Sequence, residues 1–376
     1  MKVFIIHASA GAGHRKAAEA LEKAFGRYPG KDISVRLIDA LDYTNLFFKK
    51  SYAAVYIFLV KYIPFVWGLF FHLLNFAPFA PLIGFFRHAF NSFHGRQLQE
   101  LILKESPDIV ICEHFFPAEM LSGLKAKGKF KGAVICGVTD FGVHQFWINK
   151  GTDYYFVASD ATRDELVSKA IDRGKIIVTG IPIEEKFSKD LSKRQMRTQL
   201  GLSPEIFTVL VTSGGFGVGP IMEIVKCIDV MPFEAQIAVI CGKNERLESM
   251  FSSQAFQKTV KVFGYVHNMD EFMTAADVIV SKSGGLTVSE SLAKALPMLI
   301  LKPIPGQETR NAEIIEQYNI GMRLGNVKDT GRCLERLLEN DQALLKQMKE
   351  NARKLARPDA ADKMCQWIIK TFLAKS

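Results

Sequence analysis

Short apolar runs alternate with amphipathic stretches along the first part of the chain. Val3–Ala8 is apolar, a glycine-bearing loop follows it, and the Ala-, Glu- and Lys-rich stretch Arg15–Phe25 has a helical pattern. Five further strands are predicted in this part of the chain: Ile33–Ile38, Ile109–Cys112, Ala133–Val138, Tyr154–Ala158 and Ile176–Val178. Strands separated by helical segments are typical of a parallel α/β sheet with helices on both faces.

The alternation starts again in the second part of the chain. Strands are predicted there at Thr208–Thr212, Gln236–Cys241, Lys261–Phe263, Val278–Ser281 and Met298–Leu301. Thr179–Ile183 marks the boundary between two similar halves, and a last helix at about Asp359–Leu373 follows Pro358. The sequence therefore predicts two Rossmann-like domains, residues 1–182 and 183–357, and a helical segment at 358–376. Two such domains facing each other enclose a central cleft at the carboxyl ends of their strands, where ligands bind.

Residues 52–90 interrupt this alternation with a long apolar and aromatic segment. No Asp, Glu, Lys or Arg occurs between Tyr62 and Phe86, which is long enough to span a bilayer. Three of its prolines would interrupt a spanning helix: Pro64, Pro78 and Pro81. A single crossing would also separate strands that belong to one sheet.

We therefore expect this segment to insert aromatic side chains into one leaflet, with flanking Lys and Arg residues near anionic lipid headgroups. The aromatic candidates are Phe65, Trp67, Phe70 and Phe71. A buried hydrophobic hairpin and a dimer interface remain alternatives.

Composition adds two points. The chain of 376 residues is 48% hydrophobic and 23% charged, which is typical of a globular protein with a buried core. Its formal net charge of +9 indicates an anionic partner, and a nucleic acid, a nucleotide and an acidic membrane all qualify. The six cysteines show no CxxC pair and no metal-ligand spacing, so we expect free thiols in a reducing compartment.

Candidate catalytic groups follow the first and fourth predicted strands. Gly13 and His14 lie at a helix start, where the helix dipole disfavours a charged imidazole and so suits His14 to act as a neutral general base. A tight turn without a ligand is the alternative for this loop. Asp140 follows the fourth strand, with His144 and Trp147 close behind, and the latter two are candidates for contact with the acceptor or the membrane. Asp140 would orient His14, accept a proton itself or cap the next turn.

Four loops in the second half suit a nucleotide diphosphate sugar. Glycines after the strand at Thr208–Thr212 allow a phosphate to approach the backbone, and the loop after Phe263 can pair with a uracil edge. Lys282–Thr287 leads into a helix predicted at Val288–Ala295, whose N-terminus forms an anion site. The fourth loop, Pro305–Glu308, offers an amide and a carboxylate for sugar hydroxyls. The candidate UDP-sugar residues are Gly13, Gly214, Gly215, Phe263, Tyr265, Val266, Ser283, Gly284, Gly285, Leu286, Thr287, Glu290, Gln307 and Glu308.

At these residues the chain resembles the bacterial processive diacylglycerol glucosyltransferases, which are relatives of plant monogalactosyldiacylglycerol synthase. The resemblance covers nearly the whole chain. It is carried by Ser9–Arg15, Thr139–Phe141 with His144 and Trp147, Cys241–Asn244, Gly264–Val266, Lys282–Glu290 and Pro305–Asn311. The first loop departs from the family pattern, because it reads SAGAGH where plant relatives have a run of glycines before the histidine.

The resemblance implies a GT-B fold, a UDP-hexose donor, diacylglycerol as acceptor, inversion at the anomeric carbon, and no metal ion, cofactor or nucleic acid. It also implies peripheral association with the cytoplasmic face of the membrane and a last helix that returns to the N-terminal domain. By the same resemblance His14 is the base or a substrate contact, Glu290 binds the ribose, and Gln307 and Glu308 read the hexose. The remaining assignments are Gly214 and Gly215 to the diphosphate, Phe263 and Val266 to uracil, and Ser283–Thr287 to the phosphates.

Two other functions remain open at this point. The same fold would serve a transferase that moves N-acetylglucosamine from its UDP donor to a polyprenyl diphosphate, whose own diphosphate the loop at Gly11–Gly13 would bind. A UDP-sugar sensor that binds a membrane or a partner through residues 52–90 would need no catalysis. The residue types do not distinguish a glucose from a galactose donor.

Overall fold

The computed structural model describes residues 1–9, 11–28, 32–45, 48–49, 91, 94–215, 217, 219–301, 303 and 306–373. The expected lipid contacts lie outside them with the rest of residues 52–90, so their role stays a prediction: Phe65, Trp67, Phe70 and Phe71. Within the described ranges, no helix is both long and apolar enough to cross a bilayer. The chain divides into an N-terminal unit (Met1–Glu184, Pro305–Gln307 and Asp359–Ser376) and a C-terminal unit (Glu185–Ile304 and Glu308–Pro358).

The N-terminal unit is built on a parallel sheet. Its described strands are β1 (Lys2–His7), β2 (Ser34–Asp39), β3 (Ile109–Cys112), β4 (Ala133–Gly137), β5 (Tyr154–Val157) and β6 (Ile176–Val178). Its described helices up to residue 184 are α1 (Ala12–Phe25), α2 (Arg96–Glu105), α3 (Phe115–Ala126) and α4 (Asp160–Ser168), with short 3₁₀ turns at Ala40–Tyr43, Gln145–Trp147 and Arg173–Lys175. The strand order is β2-β1-β3-β4-β5-β6. Strand order therefore reverses between β1 and β3, which is where ligands bind in open α/β sheets.

Both faces of this sheet are apolar because helices cover each of them. Phe4 and Ile6 of β1 belong to one buried cluster, and Val3 and Ile5 belong to the other. Side chains alternate between the faces of a strand, so a run of consecutive apolar residues is what a strand buried on both sides requires. The continuous apolar runs in the sequence are explained by this two-sided burial.

The C-terminal unit repeats this plan. Its described strands are β7 (Thr208–Thr212), β8 (Gln236–Ile240), β9 (Thr259–Phe263), β10 (Val278–Ser281), β11 (Met298–Leu301) and β12 (Gly321–Leu324), in the order β12-β11-β10-β7-β8-β9. Its described helices are α5 (Lys193–Gln199), α6 (Ile221–Asp229), α7 (Glu245–Ser252), α8 (Met269–Ala275), α9 (Gly285–Ala293), α10 (Gln307–Gln317) and α11 (Asp329–Leu355), which is interrupted by non-helical backbone at residues 339–342. The strand order reverses between β7 and β10.

The last helix, α12 (Ala360–Phe372), packs on the N-terminal unit. Met364, Cys365 and Ile368 are fully buried in the cluster that also contains Leu21 of α1. The Cys365 thiol donates to the Leu21 carbonyl oxygen at 3.8 Å. Burial of these apolar side chains is what attaches α12, since partly exposed ion pairs contribute little to stability.

Asp277, just before β10, connects four parts of the C-terminal unit. Its carboxylate accepts hydrogen bonds from the Thr208 main-chain N–H at 2.8 Å, from Lys193 Nζ at 2.7 Å and from Arg197 Nη2 at 2.5 Å. Lys349 Nζ of α11 lies 3.8 Å away. Burial alone would raise the pKa of Asp277, but the charges of Lys193 and Arg197 and the hydrogen bonds outweigh burial and lower it.

The predicted α/β class with two parallel sheets is confirmed, and the predicted strands agree with the structure to within two residues. β12 was not predicted, because its Gly321 and Arg323 break the apolar run that marks the other strands. α9 begins at Gly285, three residues before the predicted start, so Glu290 lies in its second turn. Gln307 and Glu308, expected in a loop, form the first turn of α10.

Candidate functional site

His14 is held at the switch point of the N-terminal sheet. α1 begins at Ala12 after Gly11, an extended N-cap residue with no side-chain cap, which places His14 in the first turn. His14 Nδ1 lies 2.7 Å from the Glu113 main-chain carbonyl oxygen and 2.9 Å from Thr139 Oγ1. A carbonyl oxygen only accepts hydrogen bonds, so the proton of the neutral ring is on Nδ1 and Nε2 carries the lone pair. This is the tautomer that a general base at Nε2 requires.

The surroundings of His14 keep its ring neutral. Burial lowers the pKa of His14 to about 4, partly opposed by the hydrogen bond to Glu113, and the nearby His7 lowers the pKa further. The His114 ring stands edge-on to it, with ring centroids 4.8 Å apart, and burial holds the pKa of His114 well below its usual range. The helix dipole was the expected cause of a neutral His14, but burial is the largest one.

The candidate residues after β4 differ in their burial and in their contacts. Thr139 contacts His14, whereas Asp140 is half-buried on the same loop. His144 and Trp147 were expected to contact the acceptor or the membrane, but Trp147 is 1% exposed inside the core and His144 is also buried. His144 Nδ1 accepts from the Phe146 N–H and so caps a 3₁₀ turn. Buried side chains cannot form part of an exposed membrane-binding surface, so neither residue belongs to one, and their contact with the acceptor stays a prediction.

Glu113 is a member of this site that the sequence analysis missed. It directly follows β3 and is 0% exposed, and neither carboxyl oxygen has a hydrogen-bond partner among the described residues. Burial raises the pKa of Glu113 to about 8, so at neutral pH the carboxyl group is protonated. The signal in the sequence is a lone glutamate directly after a four-residue apolar strand, ahead of His114.

The two ends of the apolar segment meet beside α3. Asn45 Nδ2 lies 3.1 Å from His94 Nδ1, and the Phe48 and His94 rings stack with centroids 4.4 Å apart. Asn91 Nδ2 donates to the Glu119 carboxyl group of α3 at 2.6 Å inside the protein. We call these residues (Asn45, Phe48, Asn91, His94 and Glu119) the clasp. α3 begins directly after His114, so the clasp is attached to the helix that follows the His14–His114 ring pair.

The second candidate site lies in the C-terminal unit, where glycine loops follow β7 and β8. Gly214 has a φ of +70° and open space where a Cβ would be, so its backbone is accessible to a ligand. The loop is fixed by its neighbour, because the Lys243 N–H donates to the Gly215 carbonyl oxygen at 3.0 Å. A Cβ at Gly242 would be 2.6 Å from that same oxygen, so the two loops pack too closely for a side chain.

The N-terminus of α9 lies across the switch point from this loop. Gly284 is the N-cap residue, no side chain caps the helix, and space is open beside Gly284. The N–H groups of Gly285, Leu286 and Thr287 are therefore available to an anion, and we call this helix start the candidate anion site. Lys282 lies beside it, and burial lowers the pKa of Lys282 against the opposing charge of Glu308.

Ser283 differs from the expectation that its hydroxyl binds phosphate. Its side chain is fully buried, and the hydroxyl donates to the Glu308 carbonyl oxygen at 2.7 Å. The Asn311 side chain donates in turn to the Ser283 carbonyl oxygen at 2.8 Å. Ser283 thus links the candidate anion site to the start of α10, where Glu308 lies. The side chain of Gln307 lies outside what the structure describes.

Gly264, Tyr265 and Val266 follow β9 on the other side of the glycine loops. The Phe263 ring packs edge-on against Phe272, at a centroid distance of 4.7 Å. Tyr265 is 42% exposed, and Lys243 Nζ lies 5.6 Å from the centre of its ring. The structure therefore brings the loops after β7, β8, β9 and β10 to one edge of one sheet, which is the arrangement a nucleotide site needs.

Comparison with known proteins identifies the family of this chain. The monogalactosyldiacylglycerol (MGDG) synthase family model matches residues 14–183, and the glycosyltransferase family 28 C-terminal domain model matches residues 208–364. A processive diacylglycerol beta-glucosyltransferase of Bacillus cereus (strain AH187) is 30% identical over all of this chain and 94% of its own length. Its namesake from Bacillus thuringiensis (strain Al Hakam) is 30% identical over 98% of this chain and 93% of its own.

Solved structures show the same fold at low identity. MurG of Acinetobacter baumannii has a TM-score of 0.60 and 14% identity, with 98% of this chain and 99% of MurG covered. The S. aureus MnaA–UDP co-structure has a TM-score of 0.62 and 17% identity, with 99% and 97% covered. These likenesses show a GT-B fold. The chain is therefore a glycosyltransferase, and it belongs to the family that joins the MGDG synthase and family 28 C-terminal domains and includes the processive diacylglycerol beta-glucosyltransferases of Bacillus.

Proposed function

We propose that this protein transfers a hexose, glucose rather than galactose, from a UDP-hexose to the hydroxyl group of diacylglycerol, with inversion and without a metal ion. The carrying observation is the His14 tautomer, which leaves a lone pair on Nε2 in the first turn of α1. Full-length relatives with the name processive diacylglycerol beta-glucosyltransferase support the acceptor and the sugar. Their name also supports the addition of more than one sugar.

The reaction is a direct displacement. His14 Nε2 takes the proton of the acceptor hydroxyl as its oxygen attacks the anomeric carbon, and the bond from that carbon to the UDP oxygen breaks. The imidazolium that results keeps its Nδ1–H on the Glu113 carbonyl oxygen. The negative charge on departing UDP is stabilised by the N-terminus of α9, in the role that a metal ion fills in other transferases.

The C-terminal loops would hold the donor. Gly214 and Gly215 would accommodate the diphosphate, together with the N–H groups of α9. The backbone of Gly214 supports this, because it has a positive φ and open space where a Cβ would be. Phe263 and Val266 would flank the uracil, and Glu290 in the second turn of α9 would bind the ribose. Gln307 and Glu308 would bind the hexose hydroxyls.

Residues 52–90 would contact the cytoplasmic face of the membrane peripherally. The net charge of +9 and the aromatic residues support attraction to anionic lipid. Sedimentation with vesicles of phosphatidylglycerol and phosphatidylcholine tests this. Binding should weaken when Trp67 and Phe70 are replaced by Ser, and unchanged binding would contradict the assignment.

The function is tested by mass spectrometry of lipid products made from diacylglycerol with UDP-glucose and UDP-galactose in parallel. We expect hexosyl-diacylglycerol from UDP-glucose, with further hexoses on longer incubation. Transfer of N-acetylglucosamine to a polyprenyl diphosphate in place of this, or UDP-sugar binding without UDP release, would overturn the proposal. His14→Ala should lower kcat on the order of 10²-fold or more, and near-normal turnover would move the base to Asp140.

A further inference from the structure

The Glu113 carboxyl group fills the space where a side chain at Gly137 would lie. A Cβ built at Gly137, the last residue of β4, would lie 2.2 Å from Glu113 Oε1 and 2.9 Å from Oε2. The carboxyl group therefore lies directly on the backbone at the end of β4. It does so without exposure to solvent and without a hydrogen-bond partner among the described residues.

This position connects Glu113 to both atoms that orient His14. The Glu113 main-chain carbonyl is the acceptor 2.7 Å from His14 Nδ1. Thr139, whose hydroxyl is 2.9 Å from the same nitrogen, follows Gly137 by two residues. The end of β3 also binds β1, because the Glu113 N–H donates to the Ile6 carbonyl oxygen at 2.9 Å. A shift of the Glu113 side chain would therefore move both oxygen atoms around Nδ1.

The groups that face Glu113 do not offset a negative charge there. Burial is the cause that raises the pKa of Glu113. His7, His14 and His114 all have lowered pKa values, and the pKa values of the Cys112 and Cys136 thiols are raised, so these groups are neutral near pH 7. The charged groups on the flanking elements lie further out, on α1, on β2 and after β4: Arg15, Glu19, Asp39 and Asp140.

We propose that Glu113 is a positioning residue that acts in its neutral form: its protonated carboxyl group packs on Gly137 and holds the two oxygen atoms that fix the His14 tautomer, and its ionisation releases them. The proposal rests on the proposed function, in which His14 is the base. An unpaired carboxylate is unstable in such a site, so ionised Glu113 must move towards water or charge. The loss of alignment at His14 would then limit the rate at high pH.

The test is the pH profile of UDP release with diacylglycerol, for wild type and Glu113→Gln. Wild-type kcat should decline above about pH 8 and be about tenfold lower at pH 9, with KM for UDP-hexose unchanged. Glu113→Gln keeps the shape and neutrality of the acid, so its kcat should stay level to pH 9. Glu100→Gln makes the same change on the exposed surface of α2 and should keep the wild-type profile. An alkaline decline that Glu113→Gln leaves in place, or a folded Glu113→Gln protein inactive at every pH, overturns the proposal.

A second measurement does not depend on activity or on that variant. In ¹⁵N-histidine NMR of the wild-type protein, His14 should show a proton on Nδ1 at pH 7 and lose this single tautomer as the pH passes 8. Gly137→Ala should disturb it already at pH 7, because the added Cβ displaces the carboxyl group. A His14 spectrum that is constant from pH 7 to 9 overturns the proposal. If the wild-type protein transfers no hexose, the proposed function fails, and the NMR titration still decides the role of Glu113.

Discussion

Acidification offers a direct test of the environment of His14. Burial lowers the pKa of His14 to about 4, whereas an ordinary histidine titrates at 6.5. At pH 5.5 a group with a pKa of 4 is about 97% neutral, and one with a pKa of 6.5 is only about 9% neutral. If His14 is the base, kcat at pH 5.5 should therefore remain within about 10% of its value at pH 7, where an unburied histidine would give a roughly tenfold loss.

The same shift has a consequence for stability. The unfolded chain binds a proton at His14 below pH 6.5 and the folded chain does not until about pH 4, so acidification through this window favours unfolding. The full effect is about 3 kcal/mol. Initial rates should therefore be measured by chromatography of released UDP at saturating donor, with circular dichroism at each pH to confirm folding. A decline of kcat centred near pH 6.5 in folded protein would refute a half-buried, neutral His14 as the base.

Three further predictions concern stability. Asp277→Asn leaves buried Arg197 without its charge partner and should destabilise the C-terminal unit by about 3–5 kcal/mol. Unfolding followed by circular dichroism should show the loss of stability. Unfolding followed by tryptophan fluorescence should not, since every tryptophan lies in the N-terminal unit. Raising the pH from 4.5 to above 8 should remove about 5 kcal/mol of unfolding free energy through Glu113, because its pKa is raised from 4.5 in the unfolded chain to about 8. Urea unfolding of Glu113→Gln should lack this loss. An identical pH dependence in both proteins would contradict the prediction. Ile368→Ala, in the buried face of α12, should lower the stability of the N-terminal unit by about 2–5 kcal/mol. Arg27→Ala, which removes a partly exposed ion pair, should lower it by about 1 kcal/mol or less. Equal effects in fluorescence-monitored unfolding would show that α12 is not held by its apolar face.

Much of the fold follows from two-sided burial, which leaves a plain signal in the sequence. Strands such as Ile109–Cys112 and Val278–Ser281 are apolar at every position or nearly so, and they were predicted at their observed bounds. β12 lies at the sheet edge and mixes Gly321 and Arg323 with two apolar residues, so its local pattern does not distinguish it from a loop. The early start of α9 was missed because glycines usually indicate a loop, although here they form the N-terminus of a helix.

The sequence predicted those site residues whose type and local motif indicate a chemical role by themselves. His14 and the glycines of the C-terminal loops belong to this class. The partners of His14 do not, because the Glu113 carbonyl and the Thr139 hydroxyl come from strands far away in the chain, and their approach depends on the order of strands in the sheet. Trp147 shows what a motif does not reveal: this aromatic residue was a candidate for contact with the acceptor or the membrane, and the sequence did not indicate that its side chain lies in the core.

The clasp joins the chain on the two sides of residues 50–90. The described residues on either side are connected through Phe48, His94 and α3. A short linker in place of the segment would change the loop-closure entropy by only about 1 kcal/mol. The attachment point would therefore accept the corresponding segment of a relative, and such a graft should leave both sheets unchanged because the clasp stays intact.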